Sequence, residues 1–376
     1  AKNSSVRRKA SGNPRTKNVF ATKHVSWHRN RERAEREARL SLQLDTHPNI
    51  VRHYATEQTG EFFFQALELC ACSFDDLFSP GGLGDERENK KALVEELLPG
   101  ICSAVRFLHT RNISHCNIKP QNILLTRCHT RALLSDFGAA REVGKAGEGS
   151  QLGSTGWRAP ELIGENCGPV SLAADIFSLG CVFHFFLADG RHPFGEPGER
   201  EENIEKGNRV WDRCEADLVE IDLVDKMTKH SPADRPDIDT VLSHPLFWPG
   251  KKRLHFLCEV SDLLEREGHN SALWKQIETI RTGLFRGRWF RYVHPVLLED
   301  LQRYRRYNPH SAVDLLRAVR NRRNHPASEP LLDFIVGNTP EEIFFYFSKT
   351  FPTLLVDVYN SVRESCFWAD LLKQIE

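Results

Sequence analysis

The stretch from Arg281 to His325 holds the residue types best suited to phosphate chemistry. It carries eleven arginines, no lysine and three acids (Glu299, Asp300, Asp314), a local charge of +8, whereas 51 basic and 51 acidic residues cancel over the whole chain. Arginine without lysine favours planar, forked contacts to phosphate oxygens. Trp289, Phe290, Tyr292, Tyr304 and Tyr307 interleave with them as candidate surfaces for stacking bases. A solvated helical face with core aromatics gives the same composition. The end of the stretch is more telling. Ser311, with Asp314 three residues on, opens a helix in the manner of a capping box. At about 100° per residue, Ala312, Leu315, Leu316 and Val319 share one side, and Asp314, Arg317, Asn321 and His325 share the other, where they can face a substrate. His325 precedes Pro326 and so ends this helix, where the dipole favours a protonated imidazole suited to general-acid work.

Several elements must position these groups. Residues 1 to 18 are basic and polar and read as a disordered tail. A strand over Asn18 to Lys23, a helix over Asn30 to Leu44 and strands over Ile50 to Tyr54 and Phe62 to Leu69 follow. Leu93, Leu97, Ile101, Val105 and Leu108 then set a helical period that opens a larger helical lobe. The string Gly144, Gly147, Gly149 has no strand before it and marks a mobile loop over Gly144 to Gly156. After His244-Pro-Leu-Phe-Trp248, helices are expected at Leu254–Glu267, Ser271–Ile280, Val296–Tyr304, Ser311–Asn324 and Glu341–Phe347, so the chain divides near Trp248.

Composition excludes several classes. At 40% hydrophobic over 376 residues the chain supports two or three packed units. Its neutral total charge gives no whole-chain signal for nucleic acid or membrane. Ten cysteines without a CxxC pair read as reduced thiols in a cytoplasmic setting rather than as a zinc site or disulfide framework. No apolar run reaches about 18 residues, so no membrane segment or secretory signal is expected in this chain. A chain that begins at Ala1 leaves a longer parent open.

His115-Cys-Asn117-Ile-Lys119-Pro-Gln-Asn122, Asp136-Phe-Gly138 and Ala159-Pro-Glu161, in order, resemble the catalytic loop, metal loop and activation-segment end of protein kinases. Asp175 to Gly180 and Asp234-Arg235-Pro236 extend the resemblance, which implies that Glu161 pairs with Arg235. It also implies Lys23 as the phosphate-binding lysine, Glu37 as its partner, and Asn122 and Asp136 as Mg²⁺ ligands if nucleotide binds. Two departures argue for a pseudokinase. Asn117 stands where a kinase has its catalytic aspartate, so general-base help worth roughly 10²- to 10⁴-fold should be missing. Only Gly12 lies upstream of Lys23, so no glycine-rich loop is expected over the phosphates. ATP or ADP with Mg²⁺ is then an allosteric ligand. An active Ser/Thr kinase, with Ser150, Ser154 or Thr155 as self-phosphorylation sites, is the competing reading.

Tyr307 and the run Ser311-Ala-Val-Asp-Leu-Leu-Arg-Ala-Val-Arg-Asn-Arg-Arg-Asn-His325 resemble the nuclease core of the inositol-requiring kinase and endoribonuclease family of the unfolded-protein response, and more distantly ribonuclease L. Val260-Ser-Asp262 and Phe351-Pro-Thr-Leu-Leu355 add to this, and Leu67 to Ser73 is similar to plant members. The resemblance implies an α+β chain: a bilobal kinase fold over 19–247, with a small β-rich lobe and a large helical one, then an all-α kinase-extension nuclease over 248–376. It implies metal-independent cleavage of stem-loop RNA, and not DNA, by 2′-hydroxyl attack in a homodimer or higher oligomer, with no cofactor needed for cleavage. Tyr307 would be the base, His325 the acid, and Arg320 and Asn321 the residues that orient the phosphate. As a base, Tyr307 needs arginine-rich surroundings to lower its pKa. Asn324 and Pro326 flank His325 where the family often has other residues. A non-catalytic scaffold that modulates a complete relative is the remaining alternative.

Overall fold

Strands β1 (Val6–Lys9), β2 (Phe20–Ser26), β3 (His53–Thr59) and β4 (Phe62–Glu68) pair antiparallel in the order β1-β2-β4-β3. They belong to a computed structural model that describes residues 6–9, 20–44, 46–59, 62–79, 90–144, 152–164, 167–210, 217–325 and 330–375. Val6–Lys9 falls inside the expected disordered tail but forms a strand, with Val6 opposite Lys23. Main-chain pairing along an existing strand needs no buried side chain, so its composition did not reveal it. The rest of that tail, with Gly12, lies outside the described residues.

The strand expected at Ile50 to Tyr54 is displaced. Ile50 bridges in parallel to Leu134, and the Val51 amide donates to the Leu134 carbonyl at 3.0 Å, so the ladder with β4 starts only at His53. Helix α1 (Trp27–Leu44) buries Glu37, Ala38, Ser41 and Leu44 at helical spacing, which puts a carboxylate on its inward face.

Helix α2 (Lys90–His109) buries Leu97, Leu98, Ile101, Cys102, Val105 and Leu108 completely. Gly100 permits the close approach of Asn49, since a Cβ there would stand 2.5 Å from the Asn49 Nδ2 atom. That nitrogen donates to the Ala132 carbonyl at 2.9 Å. Helix α3 (Leu172–Leu187) is buried almost all round. A helix without a polar face has to be central, and Asp175 in its first turn supports the catalytic-type loop. The Asp175 carboxylate accepts from the His115 amide at 2.7 Å, the Cys116 amide at 2.9 Å and His109 Nε2 at 3.1 Å. Arg235, its side chain fully buried, donates to both Glu161 oxygens at 2.7 Å, the pairing the kinase motifs imply.

The chain divides into two compact units, one of Ala1–Ala216 with Leu223–Ser243 and the other of Asp217–Asp222 with His244–Glu376. The second is helical. It contains α4 (Gly250–Glu267), α5 (Ala272–Thr279), α6 (Pro295–Tyr304), α7 (Ala312–Asn324), α8 (Pro330–Val336), α9 (Pro340–Thr350), α10 (Leu354–Arg363) and α11 (Trp368–Ile375). Its core includes a ring cluster in which Tyr359, fully buried, meets Trp248 at 6.0 Å, Trp368 at 5.3 Å and His244 at 5.2 Å. No helix among the described residues is long and apolar enough to cross a membrane.

Candidate functional site

In the first unit, β2 and α1 bring Lys23 and Glu37 together, with Lys23 Nζ 2.5 Å from Glu37 Oε1 and 2.8 Å from Asp136 Oδ1. Burial pushes the Lys23 ammonium down, but the two carboxylates outweigh it and hold the pKa above the usual lysine value. Asp136 sits in the left-handed region at φ 67°, which turns its carboxylate back toward Lys23. Its other oxygen accepts from Asn117 Nδ2 at 3.2 Å. Asn117 Oδ1 accepts from Ser154 Oγ at 2.8 Å, and Lys119 Nζ donates to that hydroxyl at 2.7 Å. Asn122 Nδ2 donates to the Asn117 carbonyl at 2.8 Å, which leaves its Oδ1 as an acceptor.

These residues line a cavity of about 780 Å³ together with Leu67, Leu69, Cys70 and Ser73. Its size suits a nucleotide. The donor set fits one Mg²⁺ with phosphate, namely a carboxylate at Asp136 and an amide oxygen at Asn122. Position 117 offers an amide hydrogen to Asp136 where a carboxylate would repel it. Of the candidate self-phosphorylation sites, Ser154 is committed to Asn117 and Lys119, Thr155 is exposed, and Ser150 lies outside the described residues, as do Gly147 and Gly149.

In the second unit, the Ser311 side chain accepts from the Asp314 amide at 3.0 Å, as its cap position predicts. Ser311 Oγ in turn donates to Glu278, and Asp314 Oδ2 accepts from the Asn308 amide at 2.6 Å, which orders the chain just after Tyr307. Tyr307 is 7% exposed, and its hydroxyl accepts from Asn321 Nδ2 at 2.6 Å. His325 is the exposed C-cap of α7, one turn beyond Asn321. Its amide donates to the Asn321 carbonyl at 3.0 Å, and its own carbonyl accepts from Arg322 at 3.2 Å. Tyr307, Asn321 and His325 therefore gather at one end of α7.

Two expectations need correction. The polar side of α7 does not lie open to a substrate along its length, because Asp314, Arg317 and Arg320 are each only 8% exposed. Arg320 donates to Asp262 at 2.5 Å and Glu265 at 3.0 Å, and Arg317 to Glu265 at 2.9 Å and Asp314 at 2.6 Å. Helix periodicity identifies a shared face but not what covers it, and here α4 supplies the countercharge. Burial works against the Arg320 cation, yet Glu265 and Asp262 hold its pKa above the usual arginine value. Arg320 is thus positioned as a locked cation rather than a free phosphate fork.

The second correction concerns Tyr307. Burial pushes its pKa above the ordinary tyrosine value and outweighs the pull of the Asn321 bond, Arg305 and Arg320. The arginines are present, but their charge is largely answered by Asp262 and Glu265. Among the stacking candidates, Trp289 is fully buried, Phe290 half-buried and Tyr292 45% exposed. The Tyr304 side chain lies outside the described residues. Sequence reasoning passed over Glu265 and Glu278, whose only signal was an acidic residue on a neighbouring amphipathic helix. It also passed over Arg322, which ties α7 to Asp333 at 2.7 Å and the Gly337 carbonyl at 2.6 Å.

A protein kinase domain model matches residues 4–247, and a ribonuclease 2-5A model matches residues 253–375. The chain belongs to the protein kinase family, in the kinase/endoribonuclease branch that its sequence resembles. It is 36% identical to serine/threonine-protein kinase/endoribonuclease ire-1 of Caenorhabditis elegans, over 88% of this chain and 35% of that protein. To the sensor for unfolded proteins in the ER ire1 of Schizosaccharomyces pombe it is 34% identical, over 88% of this chain and 34% of the relative. To serine/threonine-protein kinase/endoribonuclease IRE1a of Arabidopsis thaliana it is 32% identical, over 89% and 45%. The chain therefore spans about a third to under a half of these relatives, and the identities do not single out the plant protein.

Proposed function

We propose that this chain is a metal-independent endoribonuclease whose kinase-like unit is a nucleotide-responsive dimerisation platform without phosphotransfer of its own. The observation that carries the reading is the grouping of Tyr307, Asn321 and His325 at one end of α7, with Tyr307 and Asn321 joined at 2.6 Å. The RNA 2′-oxygen attacks the adjacent phosphorus, the bond to the 5′-oxygen breaks, and a 2′,3′-cyclic phosphate remains. Tyr307 takes the 2′-hydroxyl proton and His325 protonates the leaving 5′-oxygen, so neither step calls for a metal. Asn321 donates to the tyrosine oxygen and so favours its anionic form, which offsets part of the burial that raises its pKa. Arg320, fixed by Asp262 and Glu265, holds the helix end in register and so orients Asn321 beside it. DNA lacks the attacking hydroxyl and is not cut.

The Lys23, Glu37 and Asp136 cluster supports ATP or ADP with Mg²⁺ as the ligand of the first unit, and Asn117 supports its reading as a pseudokinase. Relatives named as kinase/endoribonucleases and as a sensor for unfolded proteins in the ER support a role in the unfolded-protein response, at the cytosolic face of the endoplasmic reticulum if a preceding part of the protein carries an anchor. The deciding test is cleavage of a stem-loop RNA in EDTA by the full chain beside His325→Ala and Asn117→Asp. Cleavage is expected to persist in EDTA, to survive Asn117→Asp and to vanish in His325→Ala. No cleavage at any protein concentration sinks the proposal. Transfer of labelled phosphate from ATP by the unmodified chain would overturn the pseudokinase part.

A further inference from the structure

Of the eleven arginines between Arg281 and His325, five are answered by carboxylates and three share one loop. Those on the helices are mostly answered by carboxylates: Arg303 by Glu299, Arg305 by Glu265, Arg317 by Glu265 and Asp314, Arg320 by Asp262 and Glu265, and Arg322 by Asp333. Arg286, Arg288 and Arg291, in the loop before α6, are exposed and form no ion pair among the described residues. Arg281, Arg306 and Arg323 likewise form no ion pair among the described residues, but they lie apart in the chain, so the loop holds the densest run of unanswered positive charge.

The loop is also built. The Arg286 amide donates to the Tyr292 hydroxyl at 3.1 Å and closes the segment on itself. Gly287 takes φ 85°, and Trp289–Arg291 forms one 3-10 turn, so the three arginines leave a tight ring of backbone. Trp289, fully buried, is its anchor. The Trp289 amide donates to the Pro309 carbonyl at 3.0 Å, Nε1 donates to the Asn308 carbonyl at 3.2 Å, and the ring meets Tyr307 edge-on at 6.1 Å. The buried aromatic thus fixes an arginine ring beside the residue proposed to accept the 2′-hydroxyl proton.

We infer that Arg286, Arg288 and Arg291 form a phosphate-binding subsite for the RNA strand flanking the scissile bond, with the exposed Tyr292 ring beside it. The inference rests on the nuclease reading and extends it, since it assigns substrate binding to residues that take no part in the chemistry. Unpaired, exposed guanidinium groups on a fixed loop gain most from phosphate, because no internal carboxylate has to be displaced.

The test separates binding from cleavage. Stem-loop RNA binding is measured by fluorescence anisotropy against salt in the non-cleaving His325→Ala chain, with and without Arg286→Gln, Arg288→Gln and Arg291→Gln together. Three lost contacts should lower the slope of log affinity on log salt by about 2, at roughly 0.7 per single-strand phosphate. Between 50 and 200 mM salt the parent then loses about 20-fold more affinity than the variant. Replacing the three by lysine should restore most of the slope, which distinguishes lost charge from a misfolded loop. In the cleaving chain the glutamine variant should raise KM and leave kcat within twofold. An unchanged slope overturns the inference even if the chain cleaves RNA, and a lowered slope upholds it even if it does not. Loss of binding to anionic lipid vesicles, with RNA affinity untouched, assigns the loop to a membrane and also overturns it.

Discussion

Tyr307→Phe removes a single oxygen from the proposed site, and the structure fixes what that oxygen does otherwise. It accepts one hydrogen bond, from Asn321 at 2.6 Å, and the ring is buried against Trp289. Phenylalanine keeps the ring and its packing, so the structural loss is one hydrogen bond, worth about 0.5–1.5 kcal/mol. If that bond only held Asn321 in place, kcat would fall roughly 2- to 12-fold by the same figure. If the oxygen takes the 2′-hydroxyl proton, the loss is that of a general base, roughly 10²- to 10⁴-fold. The two ranges do not overlap. We expect the larger fall in single-turnover cleavage of a fluorescent stem-loop RNA in EDTA, with the melting temperature lowered by only a few degrees. Asn321→Ala should cost less. The double variant should be no worse than Tyr307→Phe, because the amide acts through the phenol oxygen. A fall under about tenfold, or single effects that multiply in the double variant, would refute the base assignment and leave Tyr307 as a positioning residue.

Four further outcomes follow. Asn117→Asp replaces the amide donor to Asp136 with a second carboxylate, so the first unit should melt several degrees lower in EDTA and recover with Mg²⁺ and nucleotide, as read by scanning fluorimetry. Arg235→Ala leaves Glu161 without its forked partner at a buried site; about 3–5 kcal/mol is at stake, and calorimetry should show a fall on the order of 10 °C. Burial pushes the Glu265 carboxyl up, but Arg320, Arg317 and Arg305 outweigh it and hold the folded pKa below the usual value. Its contribution is therefore present above the unfolded pKa of about 4.3 and lost as pH falls through the lower folded value. Glu265→Gln should cost stability at pH 7, and its difference from the parent should shrink below about pH 4 in denaturant titrations. Trp289→Ala, which removes the anchor of the arginine loop, should raise KM for RNA and lower the melting temperature of the second unit by several degrees.

Legibility in the sequence followed the range of the interactions. Helices α4, α5, α6, α7 and α9 declared themselves through local apolar spacing, and the cap at Ser311 through one polar residue and its third neighbour. Helices α8, α10 and α11 were passed over: α8 spans only seven residues, while α10 and α11 are amphipathic and their apolar spacing was there to be read. The kinase motifs placed Lys23, Glu37, Asn117, Asn122 and Asp136 in one cavity, as the structure has them. What could not be read was pairing across long separations. Arg320 belongs to Asp262 and Glu265, more than fifty positions earlier, and no periodicity within α7 reveals that its charged face is already neutralised. The same holds for Trp289, whose indole composition favours a surface platform and whose two hydrogen bonds to the segment after Tyr307 make it an anchor.

The proposed chemistry occupies one unbroken run from Tyr307 to His325, while the groups lining the proposed nucleotide site are scattered from Lys23 to Ser154. The two are therefore unequally exposed to mutation. A substitution in the first unit strikes no residue of that run, so the two halves can change independently. A single exon or recombination fragment would carry the entire acid–base pair.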